Sequence, residues 1–300
     1  MFKPYGVIPA LPTPMKEEGV IDYQGLEKLV DHVIDNGVHG VLVGGSNSEY
    51  SLMTLEERKE VIKFVTEKTN ERVPVMAGTG CHRTEDTIAL TKFAADVGVK
   101  SALVINPYYM ATGEQAIYDY YKKVAESSDI GIIIYNYPDA TGIQLEPELI
   151  DKISRIDGVT GIKNTDDGIH TSKVIALTQD NPDFSVLTGF EDLIVPTLSI
   201  GGVGAIGVVH NLVPEKIVKL YDLVVKENNV HEAIRLNNEL LPLYSMVEEE
   251  VIPGTVKAGL EALGLPGGSS RSPLPPASDE FKEKIKSYLQ ELKNNVNVRS

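Results

Sequence analysis

The chain has 300 residues, 42% of them hydrophobic, with 28 Lys plus Arg against 43 Asp plus Glu for a formal net charge of -15. Such a surface repels nucleic-acid phosphates and anionic lipid, so neither is expected as a partner, and an anion site must be built locally from backbone N–H groups. Cys81 is the only cysteine, which excludes an intramolecular disulfide and a cysteine zinc cluster and fits a reducing compartment.

In chain order, short runs rich in Val and Ile alternate with longer amphipathic segments. The opening segment 1–14 lacks the apolar core of a signal peptide, and its Gly6–Leu11 reads as a strand. A helix follows over 22–36, where Leu26, Leu29, Val30, Val33 and Ile34 keep the i, i+3, i+4 spacing. Strand Gly40–Val43 precedes a helix over 54–70, whose start carries Thr54 and Glu57 as a capping box. The next pairs are Val73–Ala77 with 84–97, Ser101–Ile105 with 114–127, and Ile130–Tyr135 with 146–154. Val159–Lys163 with 169–180, Ser185–Leu187 with 191–200, and Gly204–Val208 with 214–227 complete the series. Pro147 and Pro214 suit first helical turns.

Eight strand–helix units imply parallel strands with helical crossovers, and strands apolar on both faces imply burial from both sides. The predicted architecture is an α/β fold, a (β/α)8 TIM barrel over residues 1–228, with a doubly wound open sheet as the alternative because alternation alone does not reveal closure. A purely helical extension over 229–300 packs on it, with helices near 231–248, 254–263 and 278–294 around the loop Pro266–Pro276. No apolar run approaches the roughly 20 residues needed to span a bilayer. The chain is expected to be soluble and cytoplasmic.

In such a barrel the active site lies at the C-terminal ends of the strands. That rule selects Ser46 and Asn47, Thr79, Tyr108 and Tyr109, Tyr135 and Asn136, Lys163, Glu191 and His210. Lys163 ends an apolar strand, so its stem starts inside the barrel mouth. Two purposes are open from position alone: pairing a carboxylate, or acting as a neutral amine. Free lysine titrates near about 10.4, and desolvation is what generates an attacking amine. Tyr135 ends the neighbouring strand, where its phenol can move protons for that amine. Gly44-Gly45-Ser46-Asn47-Ser48 resembles an anion nest of successive N–H groups and hydroxyls.

Two patterns point elsewhere and fail on context. Gly202–Gly207 matches the dinucleotide fingerprint, yet its glycines precede a strand and the helix waits until Pro214. His32, His39, His82, His170, His210 and His231 show no metal-ligand spacing, so no metal is expected.

Tyr135-Asn-Tyr-Pro138 with Thr141-Gly142, Gly161-Ile-Lys163, Asn106-Pro-Tyr-Tyr109 and Ala77-Gly-Thr-Gly80 occur in one order. Over residues 5–265 the chain thereby resembles the dihydrodipicolinate synthase / N-acetylneuraminate lyase family of class I aldolases. The resemblance implies a Schiff base between Lys163 and pyruvate or another 2-oxo acid, with no metal or organic cofactor. It implies Tyr135 as proton shuttle, Ser46 and Tyr109 as a hydroxyl relay with Tyr109 serving a neighbouring subunit, and a homotetramer built from dimers. Substrate contacts would come from Asn47, Ser48, Thr165, Gly189, Glu191 and Val208.

Departures from the family pattern narrow the subfamily. The usual carboxylate loop, Gly-Thr/Ser-Thr-Gly-Glu, reads Gly45-Ser-Asn-Ser-Glu49 here, and Asp139-Ala140 replaces the arginine that dihydrodipicolinate synthases carry before Thr-Gly. Lys163-Asn-Thr165 and Gly189-Phe-Glu191-Asp192 are similar to the hydroxyl-binding segments of sugar-acid aldolases, although Val208 stands where sialate lyases carry a serine. The segment around Tyr109 looks most like 2-keto-3-deoxy-gluconate aldolases. The expectation is reversible cleavage of a 2-keto-3-deoxy sugar acid to pyruvate and an aldehyde. N-acetylneuraminate lyase, dihydrodipicolinate synthase, a dehydratase using the same imine, and a non-catalytic 2-oxo-acid-binding barrel are the alternatives.

Overall fold

A computed structural model describes residues 1–110 and 113–298. Eight parallel strands form one sheet in the order β1-β8-β7-β6-β5-β4-β3-β2. They are β1 (Gly6–Pro9), β2 (Val41–Val43), β3 (Val75–Gly78), β4 (Ser101–Ile105), β5 (Gly131–Asn136), β6 (Val159–Asn164), β7 (Ser185–Thr188) and β8 (Gly204–Gly207). Ala10 bridges Leu42, and the Leu11 N–H donates to the Leu42 carbonyl at 2.9 Å, closing the barrel between β1 and β2. The expected TIM barrel is therefore the fold.

Alternation along each strand divides the core in two. Ile8, Leu42, Met76, Leu103, Ile133, Leu187 and Ile206 fill the interior as one cluster. Their neighbours face the surrounding helices: α1 (Tyr23–Asp35), α2 (Leu55–Thr69), α3 (Thr84–Asp96), α4 (Glu114–Ala125), a short α5 (Pro138–Thr141), α6 (Pro147–Ser154), α7 (Gly168–Thr178), α8 (Ile194–Ser199) and α9 (Pro214–Val225). The capping box at α2 forms as read: the Thr54 N–H donates to Glu57 Oε2 at 2.8 Å, and the Glu57 N–H to Thr54 Oγ1 at 3.2 Å.

The extension comprises α10 (Val230–Val247), α11 (Gly254–Ala262) and α12 (Asp279–Val298). Leu240, Leu243, Val256, Leu260, Phe281 and Ile285 share one buried cluster with Leu29, Val61 and Ile217 of the barrel helices. Each such aliphatic side chain contributes about 1.5–3 kcal/mol through burial. That ties the extension to the barrel.

Many strand and helix ends shift by one to four residues from expectation, the first strand stopping at Pro9 instead of Leu11, and two of these shifts share one reason. The strand predicted to run to Val208 ends at Gly207, and the helix predicted from 191 begins at Ile194. Glu191 turns inward instead of starting that helix, and its Oε1 accepts the N–H groups of Val208 and Val209 at 2.6 and 2.9 Å. Those amides leave the sheet and enter a 3-10 turn over Val209–Asn211. Turns over Ser46–Ser48 and Tyr50–Leu52 were likewise not predicted.

Candidate active site

Register places the reactive pair. Ile105 pairs with Tyr135, Tyr135 with Lys163, and Lys163 with Leu187, so these four share one layer. Tyr135 and Leu187 belong to the interior cluster, and Lys163 on the intervening strand points the same way. The Lys163 ammonium or amine nitrogen lies 3.4 Å from the Tyr135 hydroxyl and 4.6 Å from its ring centroid. Lys163 is only 7% exposed. Among the described residues it forms no ion pair with a carboxylate, and the Tyr135 phenol is its hydrogen-bond partner.

Side chains beyond the pair hold it in place. Asn136 Nδ2 donates to Asn164 Oδ1 at 2.8 Å and to Asp166 Oδ2 at 3.2 Å, while Asn136 Oδ1 accepts the Leu145 N–H at 3.1 Å. Gln144 adds a donor to Asp166 at 2.8 Å. Asn136 and Asn164 each lie one residue past the Tyr135–Lys163 pair, so these bonds stitch β5 to β6 and to the segments beyond them. Gly189 leaves room for the lysine stem, because a Cβ there would stand 2.9 Å from Lys163 Cε and 1.9 Å from Thr165 Oγ1. Thr165 is buried beside that stem, and its hydroxyl has no partner.

The loop after β2 divides its labour. Ser46 is exposed at the mouth and lines a small cavity with Gly44, Tyr50, Arg58, Gly80 and Tyr135. Asn47 and Ser48, by contrast, are 1% exposed and turn toward β1. Asn47 Nδ2 donates to the Ala10 carbonyl at 2.7 Å, and Ser48 Oγ donates to the Leu11 carbonyl at 2.7 Å. Their side chains brace the loop. Ser48 also avoids a positive φ; the left-handed residue of this loop is Glu49, at φ 62°. Serine in the family's glycine position therefore carries no backbone strain.

Four expected residues stand apart from the mouth in other ways. Glu191 is 8% exposed, burial pushes its carboxyl above the ordinary range, and its Oε1 is committed to two amides of the next loop. Val208 supplies one of those amides. Tyr109 is 90% exposed at φ 75°, whereas Tyr108 approaches Tyr50. Thr79 is buried, sharing a 2.8 Å hydrogen bond with Thr91.

Two residues at the mouth, Tyr50 and Arg58, escaped the sequence reading. Tyr50 is mostly buried near Tyr108 and Tyr135, which together with desolvation raises its phenol. Arg58 lies 4.9 Å over the Tyr50 ring and donates to the carbonyls of Gly78 and Gly80. His210 was a candidate by position, and burial pushes its imidazole down to about 3. It is thus neutral, with Nδ1 at 3.2 Å from the Ile8 carbonyl and Nε2 unpartnered. An arginine four residues into a capping-box helix carried no signal of burial, and a tyrosine in a polar loop carried none of its destination.

Among the described residues, no cluster of His, Cys, Asp and Glu could hold a metal ion, and no helix is long and apolar enough to cross a membrane. A sequestered lysine beside a phenol, in a barrel mouth with a free hydroxyl, is suited to imine formation with a carbonyl compound.

Comparison with known proteins places this site. Residues 3–292 match the dihydrodipicolinate synthetase family. The 4-hydroxy-tetrahydrodipicolinate synthase of Methanothrix thermoacetophila is 37% identical over 293 residues, covering 97% of each chain. That of Archaeoglobus fulgidus is 34% identical, covering 96% of this chain and 98% of its own. Among solved structures, dihydrodipicolinate synthase from Thermotoga maritima superposes with a TM-score of 0.93 at 32% identity, covering 97% of this chain and 99% of that one. YagE from E. coli K12, a family member solved in complex with pyruvate, gives 0.92 at 32%, covering 96% and 98%. The chain therefore belongs to the dihydrodipicolinate synthetase family of pyruvate-dependent class I lyases, which work through a lysine–pyruvate Schiff base and need no metal or organic cofactor.

Proposed function

We propose that this enzyme reversibly cleaves a 2-keto-3-deoxy sugar acid into pyruvate and an aldehyde, with Lys163 as the imine-forming residue. The observation that carries the assignment of Lys163 is its 3.4 Å approach to the Tyr135 hydroxyl inside the mouth. Neutral Lys163 attacks the 2-oxo carbon, and the carbinolamine loses its hydroxyl as water with the proton of the Tyr135 phenol, leaving a protonated imine and a Tyr135 phenolate. The C3–C4 bond then breaks as the C4 hydroxyl passes its proton to Tyr135, and the imine accepts the electron pair as an enamine. Protonation at C3 and hydrolysis release pyruvate and restore the amine. Ser46, with the backbone N–H groups of Ser46 and Asn47, holds the substrate carboxylate. The unpartnered Thr165 hydroxyl takes a substrate hydroxyl, and Tyr109 serves a neighbouring subunit of a cytoplasmic homotetramer.

The sugar-acid reading is supported by the charge around the mouth. Asp139-Ala140 occupies the start of α5 without an arginine, and both terminal nitrogens of Arg58 are engaged by Cys81, Gly78 and Gly80. Asp192 and Asp139 crowd Glu248 enough to raise its carboxyl, after desolvation the main causes. A second substrate carboxylate would meet repulsion there, whereas hydroxyl donors are welcome. 4-Hydroxy-tetrahydrodipicolinate synthesis is the second reading, favoured by the activity for which the relatives above are named.

Borohydride reduction in saturating pyruvate should add a stable mass to Lys163, and Lys163→Arg should abolish it, because guanidinium does not deprotonate usefully. Tyr135→Phe should still trap pyruvate but lose turnover by about a hundredfold to ten-thousandfold. A panel of keto-deoxy acids assayed for pyruvate release, beside condensation of pyruvate with aspartate semialdehyde, decides the substrate. Condensation outpacing every cleavage would replace the sugar-acid reading with the second one.

A further inference from the structure

The loop that carries Ser46 is anchored from the far end of the chain. Glu49 closes the turn Ser46–Ser48 in a left-handed conformation and is 1% exposed. Its Oε1 accepts from Lys257 Nζ of α11 at 2.5 Å, and its Oε2 accepts the Arg271 N–H at 2.6 Å. Lys257, 2% exposed, also donates to the Ser269 carbonyl at 2.6 Å. The Arg271 side chain then donates to the Leu52 carbonyl at 2.8 Å and grips Glu57 at 2.9 and 2.8 Å. The segment Ser46–Leu52 is thus tied to residues 257–271 at Glu49 and Leu52, and the residues lining the small cavity at the mouth do not include Glu49 or Lys257.

A buried ion pair is a costly way to add stability, since both ions give up water. It does, however, fix geometry: a carboxylate with both oxygens bonded to separate elements has one place to be. Glu49 lies three residues from Ser46 and is the charged residue that closes the Ser46–Ser48 turn. We propose that Glu49 and Lys257 are positioning residues that set the Ser46–Asn47 carboxylate site, so that the helical extension controls pyruvate affinity without contacting pyruvate. This rests on the reading of Ser46 and Asn47 given above.

The test is the pyruvate dependence of borohydride trapping on Lys163, in the full-length wild type, Glu49→Gln, Lys257→Met and the double variant. Half-saturating pyruvate should rise between about tenfold and a hundredfold in each, as expected for a displaced binding group, with the limiting trapping rate nearly unchanged. The double variant removes both buried charges together, so it folds even if a single variant, left with one unpaired charge, does not. A merely structural role would lower the trappable fraction and the melting temperature but leave half-saturation native. A folded double variant with native half-saturation overturns the proposal. Absence of any pyruvate adduct on wild-type Lys163 would instead remove the imine reading itself, and this proposal with it.

Discussion

A methyl group at position 189 would lie 1.9 Å from the Thr165 hydroxyl and 2.9 Å from Lys163 Cε. Neither neighbour is the free end of an exposed chain, so Gly189→Ala must move the lysine stem or Thr165. The expected outcome is a folded protein with trapping at Lys163 slowed by about a hundredfold, the effect of an ångström-scale misplacement of a reacting group. Wild-type trapping rates in that variant would show that the stem has slack. His210 offers a second handle at the same scale. Its folded value of about 3 lies below the unfolded value near 6.5, so between those limits only the unfolded chain takes up the proton. Stability is therefore full above about pH 6.5 and falls as pH drops toward 3, by up to about 1.4 kcal/mol per pH unit. Glu191 acts in the opposite sense, because its raised folded value makes stability fall as pH rises above the ordinary carboxylate range. His210→Asn keeps a donor toward the Ile8 carbonyl and removes the titration. Denaturant melts between pH 4 and 7 should show a flatter acid limb for that variant than for wild type, and parallel limbs would refute the assignment.

At the scale of elements, the loop ends of β7 and β8 depend on one carboxylate. Glu191→Gln retains an acceptor for the Val208 and Val209 N–H groups, whereas Glu191→Ala leaves both buried amides without a partner. The alanine variant should lose about 2–4 kcal/mol by chemical denaturation and the glutamine variant under about 1 kcal/mol. Equal losses would mean that charge, not acceptance, is what the loop needs. The same residue shows where sequence reading stops. Strands β1 to β8 were legible as apolar runs because burial on both faces leaves a mark in every residue. Lys163 and Tyr135 were legible because strand ends of a barrel converge. The inward turn of Glu191, and the bracing of Asn47 and Ser48 against β1, depend on acceptors supplied by other elements, and no local pattern records those. Lys257 did leave a trace: a lysine inside Val256-Lys257-Ala258-Gly259-Leu260, on a helix whose other residues there are buried, has no apolar reason to be present. The fingerprint at Gly202–Gly207 was rejected on context, and its glycines serve packing. Cβ atoms at Gly202, Gly204 and Gly207 would meet Thr197, Gly6 and Glu191 at 2.3, 2.2 and 2.6 Å.

For the molecule as a whole, Tyr109 is the residue that a single chain leaves unexplained. It is 90% exposed, Met110 beside it is 69% exposed, and a tyrosine held at φ 75° is a strained conformation that some contact must repay. A two-fold contact that puts the phenol into a neighbouring barrel would do so, and every site would then be assembled from two chains. Mixing inactive subunits tests this directly. Lys163→Arg chains lack the amine but carry a native Tyr109; Tyr109→Phe chains carry the amine but lack the hydroxyl. In a mixed dimer, one site combines the native Lys163 of one chain with the native Tyr109 of the other, and the second site is doubly defective. Random pairing at equal amounts makes half of the dimers mixed, so about one quarter of all sites should regain full activity. Co-expressed variants should therefore reach roughly that fraction of wild-type turnover, above the sum of the two variants alone. Sedimentation should place the active species at a dimer or a multiple of it. If Tyr109 acted within its own barrel, or if the chain worked as a monomer, co-expression would return only that sum, because no pairing could bring the two intact residues into one mouth.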